Sequence, residues 1–135
     1  MHIEVVGIDH IVLRTTKMAE MIYFYCQVLG CSIERKTSEE IGLIQLRAGN
    51  ALIDLVSVDS KLGAIGGGAA TKTENNLDHF CLQIKAMQSE EISDYLSRFA
   101  IEVEPFSRRY GAQGFGNSMY INDPEGNTVE LKNEI

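Results

Sequence analysis

The chain has 135 residues, of which 44% are hydrophobic and 23% are charged, and its net charge is −7. This length suits a single domain with its own core, and the composition is ordinary for a globular protein. The acidic balance argues against nucleic acid as a partner, because phosphate binding depends on clustered Lys and Arg. No apolar run approaches the roughly 18 residues that span a bilayer, and the start of the chain does not read as a signal peptide. We therefore predict a cytoplasmic protein with no membrane partner.

The first half of the chain predicts a strand, a helix and three strands. Residues 8–15 (IDHIVLRT) alternate as a strand does. Residues 17–30 (KMAEMIYFYCQVLG) carry apolar side chains at helical spacing, and Gly30 stands where a helix C-cap belongs. The three strand-like segments that follow are residues 31–37, 41–48 and 50–58.

The second half repeats this order. Residues 77–84 (LDHFCLQI) predict a strand, and residues 89–100 (SEEISDYLSRFA) predict a helix with Ser89 as its N-cap. A turn, DPEGN, joins the last two strands, and Gly126 suits its left-handed position. The three predicted strands are residues 101–109, 116–123 and 127–133.

The repeat predicts an α+β fold made of two βαβββ modules within one domain, residues 1–135. The modules span about residues 1–58 and 76–135, with a linker of about residues 59–75 between them. In the linker, Gly66–Gly67–Gly68 are not followed directly by a Lys-Ser/Thr pair and no helix opens there, so it is not a phosphate loop. We interpret it as a flexible crossing between the modules.

Four side chains stand at matching places of the repeat. A His follows an Asp in the first strand of each module, and a carboxylate lies in the last strand of each; the four are His10, His79, Asp54 and Glu130. Strand alternation places them on polar faces, opposite the apolar faces that pack on helices. Imidazole and carboxylate are ligands for Zn²⁺, Ni²⁺, Co²⁺, Mn²⁺ or Fe²⁺, so the set predicts one divalent-metal site. Taken singly, Asp54 also fits an exposed strand residue, and Glu130 a surface partner of Lys132.

Cysteines and arginines leave further alternatives. The three cysteines, Cys26, Cys31 and Cys81, lack paired spacing, which favours reduced thiols over disulfides. Cys81 shares the face of His79, where its sulfur either borders the metal or acts as a small buried filler. The stretch SRRYG, residues 107–111, is interpreted as a loop, and its Arg108 and Arg109 either as solvated surface or as a clamp for an anionic substrate group.

The motifs GIDHIVLRT, FYCQVLG, NLDHFCLQI and YINDPEGNTVEL resemble those of the vicinal oxygen chelate superfamily, also called the glyoxalase/bleomycin-resistance/dioxygenase family. The resemblance covers nearly the whole chain. It implies two modules that form an eight-stranded, cup-shaped mixed sheet, and a homodimer. It also implies one divalent metal at the positions His10, Asp54, His79 and Glu130. The length and the four-position pattern look most like small bacterial glyoxalase I (lactoylglutathione lyase).

The resemblance to glyoxalase I implies a metal-dependent lyase or isomerase acting on a hemithioacetal through an enediolate, with glutathione as a possible co-substrate. Glu130 is then the preferred base and a ligand, and Asp54 the opposing ligand or second base. Glyoxalase I has Glu at the place of Asp54, and Asp is one methylene shorter.

If Asp54 does not reach the metal, the set His10, His79 and Glu130 resembles that of extradiol dioxygenases and fosfomycin-type thiol transferases. For a transferase, Arg14, on the His10 face of its strand, could join the arginines near residue 108 in binding a phosphonate. A third alternative is a non-catalytic binding protein for cationic drugs, which the net charge of −7 favours. Drug-sequestering members of the family, however, lack the metal ligands.

Overall fold

The structure, a computed structural model, describes residues 1–135. Contacts along the chain divide it into two units, residues 1–71 and residues 72–135. Each unit contains one four-stranded mixed sheet, and the strand order within the two sheets is equivalent. This confirms the predicted α+β class and its two βαβββ modules. None of the helices is both long enough and apolar enough to cross a membrane.

The first unit contains four strands and two short helices. Its elements are β1 (His10–Thr15), α1 (Met18–Ile22), β2 (Ser32–Lys36), β3 (Leu43–Ala48), β4 (Ala51–Ser57) and α2 (Lys61–Ala64). Helix α1 runs directly into a π-helical segment, Tyr23–Val28, and Gly30 follows it with φ +79°. The C-cap itself is Leu29, and Gly30 takes the left-handed conformation directly after it, one residue beyond the predicted position. The sequence did not indicate the π-helical form or α2.

The sheet of the first unit has β4 at its centre. β1 pairs with β4 in parallel, and β3 pairs antiparallel with both β4 and β2. One face of this sheet supplies the core: it carries Leu13, Leu46, Ile53 and Leu55, all buried, and the helical segment adds Met21, Phe24, Tyr25 and Val28. The opposite face carries His10 and Asp54, because β-strand side chains alternate.

The second unit repeats this arrangement with β8 in the central role. Its elements are β5 (His79–Ile84), α3 (Ser89–Ser97), β6 (Ser107–Gly111), β7 (Gly114–Asn122) and β8 (Thr128–Asn133). β5 pairs with β8 in parallel, and β7 pairs antiparallel with both β8 and β6. The buried core consists of Ile92 and Leu96 from α3 and of Met119, Ile121, Val129 and Leu131 from the sheet.

Three local predictions in the second unit were wrong. The N-cap of α3 is Gln88, which forms a capping box with Glu91, while the Ser89 hydroxyl accepts a hydrogen bond from the Phe106 amide. Residues 101–106 are not a strand, since Pro105 lacks the amide that a ladder requires. The SRRYG stretch, predicted as a loop, is instead β6, which forms a hairpin with β7.

Arg14 fixes part of the predicted linker, residues 59–75. The guanidinium group donates hydrogen bonds to the carbonyl of Gly63 at 2.9 and 3.2 Å, to that of Gly68 at 3.0 Å, and to that of Gly67. Residues 63–68, interpreted from the sequence as part of a flexible crossing, are thus tied to β1. Arg14 is engaged in these bonds, which removes the support it gave to a phosphonate site.

Gly63 packs so closely on β4 that a side chain cannot be added. A Cβ at this position would lie 1.8 Å from the Ser57 carbonyl oxygen and 2.8 Å from the Val58 Cα. These are backbone atoms, so α2 itself would have to move. We expect Gly63→Ala to lower the free energy of unfolding by about 1–3 kcal/mol in urea denaturation. Gly68→Ala, which meets no atom within 4 Å, is the matched control; equal losses would contradict this account.

Burial raises the pKa of the Cys31 thiol to about 11, and the neighbouring Cys26 adds to the shift. Because the folded pKa exceeds the ordinary value of 9.0, the neutral thiol contributes stability that is complete below that value and is lost as the pH rises through 11. We expect alkylation of Cys31 by iodoacetamide to be slow at about pH 8 and to rise towards about pH 10. Peptide mass spectrometry would follow it, and the urea-unfolded chain should react at lower pH. The same pH dependence in both states would refute the shift.

Candidate functional site

In the second unit, His79 and Glu130 lie side by side on the sheet face that points away from the core. β5 and β8 are parallel neighbours, and their register sets Cys81 opposite Glu130 and His79 opposite Thr128. His79 Nε2 lies 3.2 Å from Glu130 Oε1, and Glu130 is only 6% exposed. The two residues therefore present an imidazole nitrogen and a carboxylate oxygen at one place.

Asp78 fixes the orientation of the His79 ring. Its Oδ2 atom lies 2.7 Å from His79 Nδ1. A neutral imidazole has a single N–H: with that proton on Nδ1 the ring donates to Asp78 and turns the Nε2 lone pair towards Glu130, whereas with a proton on Nε2 it donates to Glu130 instead. A lone pair and a carboxylate at this separation are complementary to a shared cation, and carboxylate–histidine pairs of this kind orient metal-ligating histidines.

The first unit repeats the arrangement with His10 and Asp54. The parallel register of β1 and β4 sets Val12 opposite Asp54, which places His10 and Asp54 on one face. Asp9 Oδ1 lies 2.6 Å from His10 Nδ1. This hydrogen bond raises the pKa of His10, desolvation opposes the rise, and the negative charge of Asp54 adds to it. Both units thus contain an Asp, a His and a second carboxylate in equivalent places.

Asp54 differs from Glu130 in its immediate partner. It is 4% exposed, and Gln45 Nε2 lies 3.2 Å from each of its carboxylate oxygens. Gln45 in turn accepts a hydrogen bond from Arg35 Nε at 2.6 Å. The alternative that Asp54 is an exposed strand residue is therefore wrong. Glu130 is likewise buried and pairs with His79, so its interpretation as a surface partner of Lys132 is wrong too.

The four candidate residues form two pairs, one in each unit. Neither unit alone brings together three or more His, Cys, Asp or Glu side chains that could hold a metal ion. The His79–Glu130 pair nevertheless fits a divalent ion. Two ligands bound at about 2.1 Å with an angle near 90–110° stand about 3.0–3.4 Å apart, and the Nε2–Oε1 distance is 3.2 Å.

Cys81 lies beside this pair and is exposed, so the small buried filler was the wrong interpretation. Partial burial of its sulfur raises the pKa of the thiol to about 11, and the charge of Glu130 adds to the shift while that of Lys132 opposes it. The ring of Tyr120 contacts His79 edge-on, with 5.3 Å between the ring centroids. Cys81 and Tyr120 therefore flank the pair on either side.

The two arginines of SRRYG point to opposite faces of the sheet. Arg109 is opposite Gly116 and shares the face of Glu130, whereas Arg108 is opposite Asn117 and lies on the other face. Arg108 stacks on Phe115, with 3.9 Å between its guanidinium carbon and the ring centroid. The two arginines cannot act as one clamp, because the sheet separates them.

The sequence analysis did not predict the side chains that contact and orient the candidate ligands. Asp9 and Asp78 received no role, although the available signal was the Asp that precedes both histidines. Gln45 gave no signal, since its role depends on the register between β3 and β4.

A sequence model described as Glyoxalase/Bleomycin resistance protein/Dioxygenase superfamily matches residues 7–131. No curated protein matches the sequence. A protein from the mobile metagenome of V. Pseudocholerae is similar in fold, with a TM-score of 0.78 and 24% identity over 100% of this chain and 99% of that one.

Two other solved structures show the same fold. A virulence protein from Salmonella typhimurium has a TM-score of 0.74 and 24% identity, over 98% of this chain and 100% of that one. A lactoylglutathione lyase from Agrobacterium tumefaciens has a TM-score of 0.68 and 22% identity, over 96% of this chain and 95% of that one. At these identities the similarity establishes the fold alone.

Gln45 is the only side chain found to donate to both oxygens of the buried Asp54. We expect Gln45→Ala to lower the free energy of unfolding by about 1–3 kcal/mol, because a buried carboxylate loses its donor. Urea denaturation would measure this. Gln83→Ala is the matched control in the second unit, since Gln83 is exposed and bonds to Gln113. A Gln45→Ala variant as stable as the control would show that Asp54 does not depend on this amide.

Proposed function

Because the chain belongs to the Glyoxalase/Bleomycin resistance protein/Dioxygenase superfamily, we propose that it is a divalent-metal-dependent lyase or isomerase similar to lactoylglutathione lyase. Its substrate is a small hemithioacetal or another α-hydroxy-carbonyl compound. The observation that carries the proposal is the 3.2 Å contact of His79 Nε2 with Glu130 Oε1, beside the 2.7 Å contact of His79 Nδ1 with Asp78 Oδ2.

The proposed ligand set consists of the imidazole and the carboxylate of both units: His10, Asp54, His79 and Glu130. Nitrogen and oxygen donors of this kind suit Ni²⁺, Zn²⁺, Co²⁺, Mn²⁺ or Fe²⁺. A bound ion of this type supplies a Lewis acid that polarises the substrate carbonyl. Asp9 and Asp78 hold the two rings so that Nε2 is the donor atom in each case.

Glu130 is the proposed general base. Its carboxylate is almost fully buried, lies on the sheet face opposite the core and contacts the imidazole of His79. It takes the proton from the carbon beside the carbonyl and returns it to the neighbouring carbon, which converts an α-hydroxy-carbonyl through an enediolate. Tyr120, in edge contact with His79, restricts the ring that stands next to this base.

Asp54 is the proposed opposing ligand or second base. Its two contacts with Gln45 fix the carboxylate in one orientation and leave it less free than Glu130 to exchange partners. Glutathione is the proposed co-substrate. It is the first thiol to test, because the fold is similar to that of the Agrobacterium tumefaciens lactoylglutathione lyase. A homodimer is also part of the proposal.

The hydrogen bonds from Gln45 to Asp54 favour a second candidate function. If Gln45 keeps Asp54 from the metal, the ligands are His10, His79 and Glu130. Two histidines and one carboxylate suit Fe²⁺ oxygenases. Within this superfamily, the same ligand set also resembles that of the fosfomycin-type thiol transferases. The behaviour of Asp54→Asn separates the two candidates.

We expect protein purified without chelator or affinity tag to contain about one divalent metal per site by mass spectrometry. Glu130→Gln should lose most of this metal, because a neutral amide is a poor ligand. It should also lower the rate of thioester formation from methylglyoxal and glutathione by about 10²–10⁴-fold. Glu134→Gln, near the end of the same strand and paired with Lys85, is the matched control.

Three results would decide between the candidates. Loss of metal in both Glu130→Gln and Asp54→Asn, with thioester formation in the wild type, supports the lyase. Retention of metal in Asp54→Asn, without thioester formation in the wild type, supports the three-ligand candidate. A protein that takes up none of the five ions would contradict both.

A further inference from the structure

Lys132 is a buried cation on the same sheet face as Glu130. It is 5% exposed and lies two residues further along β8. Its side chain crosses two glycines: a Cβ on Gly116 would stand 2.8 Å from Lys132 Nζ, and a Cβ on Gly111 would stand 3.1 Å from Lys132 Cε. A side chain at either position would collide with the lysine, so the two glycines provide the space that the Lys132 side chain occupies.

No carboxylate of the second unit pairs with this ammonium group. The ion pairs of the unit join His79 to Asp78 and Glu130, and Lys85 to Glu134. A buried charge is unfavourable unless an opposite charge or hydrogen-bonding groups compensate it. In this unit that compensation is not supplied by an acidic side chain, although the chain as a whole carries a net charge of −7.

Arg109 adds a second cation on the same face. It is opposite Gly116 in the β6–β7 register, and its Nη1 donates to the Ser118 carbonyl at 2.8 Å and to the Ser118 hydroxyl at 2.9 Å. Its guanidinium carbon stands 4.4 Å above the centroid of the Tyr120 ring. Ser118 is fully buried and is opposite Lys132. The two cations thus lie on either side of one serine.

We infer that Lys132, assisted by Arg109, binds an anionic group of a small ligand, either a carboxylate or a phosphonate-type oxyanion. Both side chains offer N–H donors, and oxyanions accept charge-assisted hydrogen bonds from such donors. Residues two apart on a strand are separated by roughly 7 Å, so the anionic group is held only a few bonds from the atoms that face Glu130. The assignment of the anionic group to the substrate rests on the proposed function. The binding of an anion by Lys132 and Arg109 does not depend on it.

The test uses chelator-treated protein, so that no metal can bind the anion. Acetate and inorganic phosphate are titrated separately at constant ionic strength, and backbone amide shifts are followed by two-dimensional ¹H–¹⁵N NMR. We expect saturable shifts centred on Gly111, Gly116 and Lys132, and the anion that binds more tightly identifies the oxyanion class. No saturable shifts at these residues with either anion would overturn the inference.

Two variants and one control make the test specific. Lys132→Met keeps the length of the side chain without its charge and should weaken binding at least tenfold. Gly116→Ala keeps the charge but displaces the ammonium group, and it should weaken binding several-fold; it decides the matter if Lys132→Met does not fold. Lys85→Met removes an exposed lysine and should bind as the wild type does. Unchanged binding in Lys132→Met or, should that variant not fold, in Gly116→Ala would overturn the inference.

This design separates the inference from the proposed function. Anion binding is measured without metal, whereas the metal content and the Glu130→Gln variant test the function. A protein that binds the anion but no metal would retain the anion subsite and lose the lyase. A protein that binds metal but neither anion would retain the metal site and lose the subsite.

Discussion

The parallel pairing of the first and last strands of each unit is the constraint on which the candidate site depends. Parallel strands cannot be joined by a tight turn, so the chain between them forms a helical segment and the two intervening strands. In each unit the helical segment supplies core side chains for one face of the sheet. The other face is left to polar residues, and the pairing sets the His of one strand beside the carboxylate of the other.

The two units use this common arrangement in different ways. In the second unit the carboxylate faces its histidine directly, whereas in the first it is held by an amide from a neighbouring strand. Glutamate has one more methylene than aspartate, which lets Glu130 reach across to β5. The repeat therefore gives equivalent positions without equivalent partners, and it is the second unit that carries the stronger argument for metal binding.

The sequence was sufficient where the determining interactions are local. Alternation and the repeated Asp-His pair placed His10, His79 and Glu130 on the correct faces, because side-chain direction in a strand follows from residue parity. It was insufficient where the partner is distant. Gln45 meets Asp54 through the register of β3 and β4, and the Lys132 side chain lies against Gly111 in β6 and Gly116 in β7. The third-to-last strand was predicted at residues 101–109, too early in the chain, because the charged residues of SRRYG resemble a loop; pairing with β7 is what makes residues 107–111 a strand.

The hydrogen bonds from Arg14 to residues 63–68 determine where the chain can be cut into fragments. A guanidinium group that donates to three glycine carbonyls makes those residues part of the first unit, and a Cβ on Gly66 would stand 2.5 Å from Arg14 Nε. Fragments meant to retain the first sheet intact must therefore include the glycines and end beyond them. Insertions for labelling belong after residue 71, where the first unit ends.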